Sequence, residues 1–243
     1  MLISHHHRFV FVKPRKTAGT SVELALSPFL APGDLATPIE PEEEPLRKAA
    51  AGVIVGQVRA RGVRLRDHSP LEKCWRALPQ VQGYRVVTMC RNPWDRAVSQ
   101  FFWSMRRTSI REAAFDAQRA GFIAYTRRWG PRTWLDAVYG RKRQRALDSA
   151  HLYVIGGQVR ADYVIRFEAL AADLAGLGEW LGLGGVPVLG VAAKSGLRAG
   201  GGAWVPFFDD ATRELVAREC AREIDLFGYD FEGRAVPRGP LLA

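Results

Sequence analysis

Cysteine is scarce: Cys74, Cys90 and Cys220 are the only three in 243 residues. They are odd in number, scattered, and form no CxxC, which suggests neither a disulfide framework nor a zinc site. No stretch approaches the roughly 20 uninterrupted apolar residues of a membrane span. The opening MLISHHHRFVFVKPRK lacks the secretory order of charge, apolar run and small-residue cleavage site. The expectation is a soluble, cytoplasmic chain. Internal repeats and low-complexity tracts are also missing. Acidic residues fall short, 25 against 35 Lys and Arg, for a formal net charge of +10. Such a surplus suits a polyanion or a small, highly charged ligand. What the chain does have is core material. Hydrophobic residues make up 47% and aromatics 10%, which excludes wholesale disorder. A single domain over 1–243 is expected at this length.

Arg8–Val12 (RFVFV) reads as a buried strand of a parallel sheet. Beyond the loop Lys13–Thr20, Val22, Ala25, Leu26 and Phe29 recur at helical spacing. Prolines 28, 32, 38, 41 and 45 with the acidic run Glu42–Glu44 predict a surface connection. A second strand, Tyr84–Cys90, runs into a helix with Trp94, Ala97, Val98, Phe101, Phe102 and Met105 on one face. Asn92 is its expected N-cap, with Pro93 at the first helical position. Helical patterns follow at Glu112–Arg128 and Arg132–Val138. Leu152–Ile155 and Tyr163–Arg166 are strand candidates, the latter leading into a helix around Ala169–Leu181. Ser195–Gly202 reads as a mobile glycine-rich loop, and a last helix capped by Asp209 or Asp210 ends at Gly228. Alternating strands and helices predict an α/β three-layer sandwich around a central parallel sheet.

The first loop carries chemistry. A strand-to-helix turn aims unpaired backbone N–H groups at one point, and the helix dipole favours an anion there. Gly19 and Ala18 permit close approach, Thr17, Thr20 and Ser21 add hydroxyls, and Lys16 adds charge. The order is not that of a Walker A loop, because the lysine precedes the glycine. A capped helix start with incidental lysines is the plainer alternative. The second element is Arg91, at a strand end bordering the crevice of such sheets, with Ser99 about two turns into the next helix. Ser99 shares a face with Asn92 and Arg96, so an arginine and a serine can converge on one anion.

With both elements in order, the sequence resembles the PAPS-dependent sulfotransferases, in particular the carbohydrate-type branch and its bacterial relatives. The first signature is matched at Arg15–Ser21 (RKTAGTS) and the second at Arg91–Phe101 (RNPWDRAVSQF). Val164–Leu170 (VIRFEAL) and Asp225–Phe231 (DLFGYDF) are similar to later family segments. Arg15 stands where proline is usual, and Phe101 where tyrosine is common. The resemblance implies a P-loop-NTPase-like fold and the donor 3′-phosphoadenosine 5′-phosphosulfate (PAPS), with adenosine 3′,5′-bisphosphate (PAP) as product and no metal. It implies that Lys16, Thr17, Ala18, Gly19, Thr20 and Ser21 hold the 5′-phosphosulfate. Arg91 and Ser99 would hold the 3′-phosphate, and Lys194, Ser195 and Arg198 would lie in a loop covering the nucleotide. Lys16 is the expected stabiliser of the leaving bridging oxygen.

His68, in Asp67-His68-Ser69-Pro70, is the candidate general base, with Asp67 or another carboxylate orienting its ring. A loop histidine capping the helix begun at Ser69-Pro70 is the alternative. His5-His6-His7 predict no metal site, because adjacent histidines diverge and no carboxylate or cysteine accompanies them at ligand spacing. They read as a solvated N-terminal segment, native or tag-like. Arg59, Arg61, Arg64 and Arg66 precede His68, and Arg141, Lys142, Arg143 and Arg145 form a second cluster. The first suggests a negatively charged acceptor such as a glycan, lipid headgroup or metabolite; either is also compatible with a solvated face. A nucleic-acid-binding protein and a non-catalytic nucleotide binder are the competing readings. No basic stripe with base-reading side chains supports the former, so nucleic acid is not an expected partner.

Overall fold

Short apolar runs become strands here, and the turns between them decide their direction. The structure, a computed structural model, describes residues 1–49, 51–129, 148–190 and 203–234. In chain order its main elements are β1 (Leu2–Ser4), β2 (Phe9–Phe11), α1 (Gly19–Leu26), β3 (Leu35–Ala36), β4 (Ile54–Val55), β5 (Arg59–Ala60) and β6 (Val63–Arg64). Then come α2 (Leu71–Ala77), β7 (Arg85–Cys90), α3 (Pro93–Ser104), α4 (Phe115–Thr126), β8 (Val154–Ile155), β9 (Gln158–Val159) and β10 (Tyr163–Arg166). The last are α5 (Leu170–Leu181), α6 (Asp210–Glu219) and α7 (Ala221–Phe227). The described residues divide into two compact units, 1–49, 51–91 and 150–190 in the first and 92–129, 148–149 and 203–234 in the second.

The first unit is built on a six-stranded sheet of order β10-β7-β2-β1-β3-β4. β2, β7 and β10 are mutually parallel, with Phe11 opposite Val87 and Arg166 opposite Cys90. Their carboxyl ends therefore share one edge, where ligands bind in sheets of this kind. The expected parallel sheet needs correction at β1, which is antiparallel to both β2 and β3. A strand joined to its neighbour by a four-residue turn has no other choice. The three histidines are that turn and its flank, not a solvated tag. Buried Asp34 ties the turn down, its Oδ1 accepting from the His5 and His6 amides at 2.7 and 3.2 Å, while Ser4 Oγ donates to its Oδ2 at 2.8 Å. The proline-rich segment is likewise more than a surface connection, since it supplies β3 and buries Asp34, Ala36 and Thr37. Prolines interrupt helices but leave room for a two-residue strand between them.

One face of the sheet carries Phe9, Phe11, Val87, Met89, Tyr163 and Ile165, packed against Val22, Ala25 and Leu26 of α1 and Leu174, Leu177 and Leu181 of α5. Arg85 closes the carboxyl end of α5, donating to the Trp180 and Leu181 carbonyls at 2.6 and 3.1 Å. The candidate strand at 152–155 is only partly strand: β8 pairs with β9 as a separate hairpin.

The second unit is helical. Asn92 Oδ1 accepts from the Trp94 and Asp95 amides, capping α3 as its sequence predicts. Aromatic rings fill its core edge-to-face, with Phe101 and Phe122 centroids 5.8 Å apart and Phe122 and Phe208 4.8 Å apart. Asp209 caps α6 in a reciprocal box with Thr212. The expected single last helix breaks at Cys220 into α6 and α7, and Gly228 ends the second in the left-handed conformation. The helical pattern at 132–138 and the loop at 195–202 lie outside the described residues. Among the described residues no helix is long and apolar enough to cross a membrane.

Candidate active site

At the carboxyl end of β2 the chain enters residues 13–18 and then α1. Lys16 and Ala18 both adopt positive φ, 60° and 64°. Alternating left-handed residues turn successive amides toward one side, a concavity that suits an anion. The N-cap of α1 is Ala18, whose side chain offers the first-turn amides no acceptor. Thr17 is buried and its Oγ1 donates to the Pro14 carbonyl at 3.2 Å, closing the loop from within. Thr20 and Ser21 lie in the first turn of α1, both buried. Gly19 is required by a close approach: a Cβ there would meet Lys13 Cγ at 2.2 Å.

Lys13 cannot yield that space. Its Nζ lies 2.5 Å from both Glu23 Oε2 and Asp67 Oδ1, and its side chain is 1% exposed. Burial works to lower the ammonium pKa, but Glu23 and Asp67 outweigh it and hold it above the ordinary lysine value. The Met1 amine and Arg47 also face Glu23 Oε1, at 3.2 and 3.7 Å. Asp67 feels burial first, yet the Met1 amine, Lys13 and His68 together hold its carboxyl well below the usual range. Sequence reading missed Lys13 and Glu23. Nothing in the local pattern marks a strand-end lysine as buried or pairs it with a glutamate on the inner side of a helix.

His68 is drawn to the same loop. Its Nδ1 lies 2.7 Å from the Lys13 carbonyl, and its Nε2 3.2 Å from Asp67 Oδ2. Both neighbours are acceptors, which by itself favours an imidazolium. Burial opposes this most strongly, Arg15 and Lys13 add to it, and the pKa falls to about 4 despite Asp67. At neutral pH the ring is therefore uncharged. We assign its one proton to Nδ1, on the shorter contact. Nε2 then carries the lone pair, with Asp67 beside it to stabilise the charge that appears on protonation.

Arg91 follows β7 on the same sheet edge. Its Nη1 donates to the Lys16 carbonyl at 2.9 Å, and its guanidinium lies 3.9 Å over the Phe167 ring. It thus braces the strained loop as well as adding charge. Phe167 was also missed as a site neighbour; its only signal was an aromatic directly after a strand. Of the expected site residues, the first unit brings together Lys16, Thr17, Ala18, Gly19, Thr20, Ser21, His68 and Arg91. Ser99 belongs to the second unit, partly exposed on α3. Lys194, Ser195 and Arg198 lie outside the described residues. Among the described residues no group of three or more His, Cys, Asp or Glu is arranged to hold a metal ion. The assembled residues offer amides, hydroxyls and two cations to an oxyanion, with a neutral imidazole alongside.

No protein-family model matches the sequence, and no curated protein matches it significantly. Among solved structures the chain is similar to a sulfotransferase from Alicyclobacillus acidocaldarius, at 16% identity and a TM-score of 0.46. That alignment covers 92% of this chain and 96% of the other. A likeness so distant carries no functional argument.

Proposed function

We propose that the chain is a sulfotransferase that moves a sulfo group from PAPS to a hydroxyl or amine. The observation that carries this reading is the loop at 13–18. It has two left-handed residues and leads into a helix whose N-cap is an alanine, RKTAGTS runs from it into that helix, and it is braced by the arginine of RNPWDRAVSQF. In this reading the loop amides, that of Thr17 among them, hold the phosphosulfate with the hydroxyls of Thr20 and Ser21. Lys16 neutralises charge on the oxygen that bridges phosphorus and sulfur as its bond to sulfur breaks. His68 Nε2 takes the proton from the acceptor as the acceptor's own bond to sulfur forms. Arg91 and Ser99 hold the 3′-phosphate, and Lys194, Ser195 and Arg198 cover the nucleotide.

Calorimetry with PAP, ATP and a DNA oligomer tests the donor. PAP is expected to bind at least about tenfold more tightly than ATP, and Arg91→Ala to abolish that margin. Equal or absent binding of PAP overturns the reading. Incubation with labelled PAPS and a cell extract then identifies the sulfated product.

A further inference from the structure

Four arginines stand in the eight residues before Asp67, and the fold gathers them on one hairpin. β5 and β6 pair antiparallel, with Arg59 directly opposite Arg64 and Ala60 opposite Val63. Arg61 and Gly62 form the turn, both at positive φ (50° and 70°), the two-residue type whose twist matches a hairpin. The Leu65 amide extends the ladder to the Val58 carbonyl at 2.9 Å. Val63 and Leu65 are buried, so alternation turns Arg64 and Arg66 to the other face, beside Arg59. Arg59, Arg61 and Arg66 are exposed.

Like charges directly opposite one another destabilise a hairpin. Among the described residues no carboxylate lies within ion-pair distance of any of these four arginines. The contact of Arg59 with Gln57 Oε1 is long, 3.5 Å, and Arg64 Nε is shielded from solvent without a hydrogen-bond partner. We infer that the outward face of this hairpin binds an oxyanion carried by the acceptor, so that the substrate is a soluble molecule already bearing sulfate, phosphate or carboxylate beside the group to be modified. The inference rests on the sulfotransferase reading. Its position supports it: Arg66 is two residues from His68, at most about 7 Å of chain. The intervening turn is pinned by Ser69, whose Oγ accepts from the Arg66 amide at 2.8 Å and whose amide donates to the Arg66 carbonyl at 3.1 Å. Guanidinium forks match such oxyanions bidentately. A membrane surface fits less well, because Gln57, Arg59, Arg64 and Arg66 have no apolar side chain among them on that face to insert between lipids.

Fluorescence polarisation with a labelled sulfated tetrasaccharide tests the inference directly. The triple change Arg59→Ser, Arg64→Ser, Arg66→Ser is expected to weaken binding about tenfold or more while PAP binding stays unchanged. Single Arg59→Ser and Arg66→Ser variants, each expected to lose about threefold, keep the test alive should the triple variant fail to fold. The inference is overturned by unaltered affinity in these variants, by absent binding to the native protein, or by equal binding of a neutral tetrasaccharide. It is equally overturned if anionic vesicles or a DNA oligomer displace the probe more tightly than unlabelled tetrasaccharide does. Hairpin-dependent binding by a native protein that ignores PAP would instead overturn the sulfotransferase reading and leave the anion site standing.

Discussion

The two signature elements handle their charges in opposite ways. In the segment that begins at Arg91, the protein itself occupies most of the polar groups. Asn92 caps α3 and donates to the Asp230 carbonyl at 2.8 Å, and Trp94 Nε1 donates to the Arg213 carbonyl at 3.0 Å. Arg96, 2% exposed, forks onto Glu223, with Nη1 to Oε1 at 2.8 Å and Nη2 to Oε2, and also donates to Ser149 Oγ at 3.0 Å. The loop at 13–18 does the reverse. Its fixed charge, Lys13, is buried and locked by Glu23 and Asp67, while the loop itself turns through left-handed Lys16 and Ala18. A sequence motif is therefore not a list of ligands. Arg91 and Arg96 sit five residues apart in one signature, yet the first braces the loop at 13–18 and the second holds a helix pair together.

Breaking the closed element should give the largest effect. Arg96→Ala leaves the Glu223 carboxylate buried and unpaired, which costs about 3–5 kcal/mol. Urea unfolding is expected to show a large fall in midpoint, while PAP binding at low temperature persists. A midpoint shift under about 1 kcal/mol would place Arg96 among the ligand-facing residues instead. Lys16→Ala probes the open element and should invert this pattern. Turnover is expected to fall by about two to three orders of magnitude, the scale of losing one stabilising donor, with the unfolding midpoint nearly unchanged. Both variants losing stability equally would erase the contrast.

What could be read from the sequence follows the same division. α3 was legible because its cap, its proline and its apolar stripe are all local, and the course of the first loop because a strand precedes it and a helix follows. The buried ion pairs were not. Lys13 meets Glu23 across a loop, and Arg96 meets Glu223 over a separation of 127 residues. Each charge alone reads as solvent-facing, and only the packed fold shows that it is not. β1 was hidden for another reason. Three residues are too few for periodicity, and the histidines after them look like an appendage until Asp34 is seen to hold their amides.

The pH response separates the two elements next. The native state holds His68 neutral with its pKa near 4, whereas the unfolded chain protonates it near 6.5. The stabilisation is thus complete above pH 6.5 and is lost as the pH falls toward 4, by at most about 3 kcal/mol. Asp67 and Glu23, whose pKa values are held down, lose their contributions at lower pH. His7 is also held below its ordinary value, chiefly by burial, so it too contributes to the acid response. The quantity to measure is therefore the difference between native protein and His68→Gln in urea unfolding at pH 7 and pH 4.5. No difference in pH dependence would mean that the ring is not held neutral.

The smallest change, one methyl at Gly19, tests how the open element is kept open. In Gly19→Ala the new Cβ falls 2.2 Å from Lys13 Cγ and 2.7 Å from Cδ. These atoms lie near the root of a side chain whose tip is pinned at both carboxylates, so the loop must move rather than the lysine. Overpacking of this kind costs about 1–3 kcal/mol, and PAP affinity is expected to fall about tenfold because the amides lose their common aim. Adding Lys13→Ala removes the clash but also removes the cation nearest to Glu23 and Asp67, leaving them the more distant Met1 amine. The double variant should therefore recover PAP affinity relative to Gly19→Ala while losing further stability. If affinity and stability instead fall together, the loop's shape depends on the Lys13 charge and not merely on the space its stem occupies.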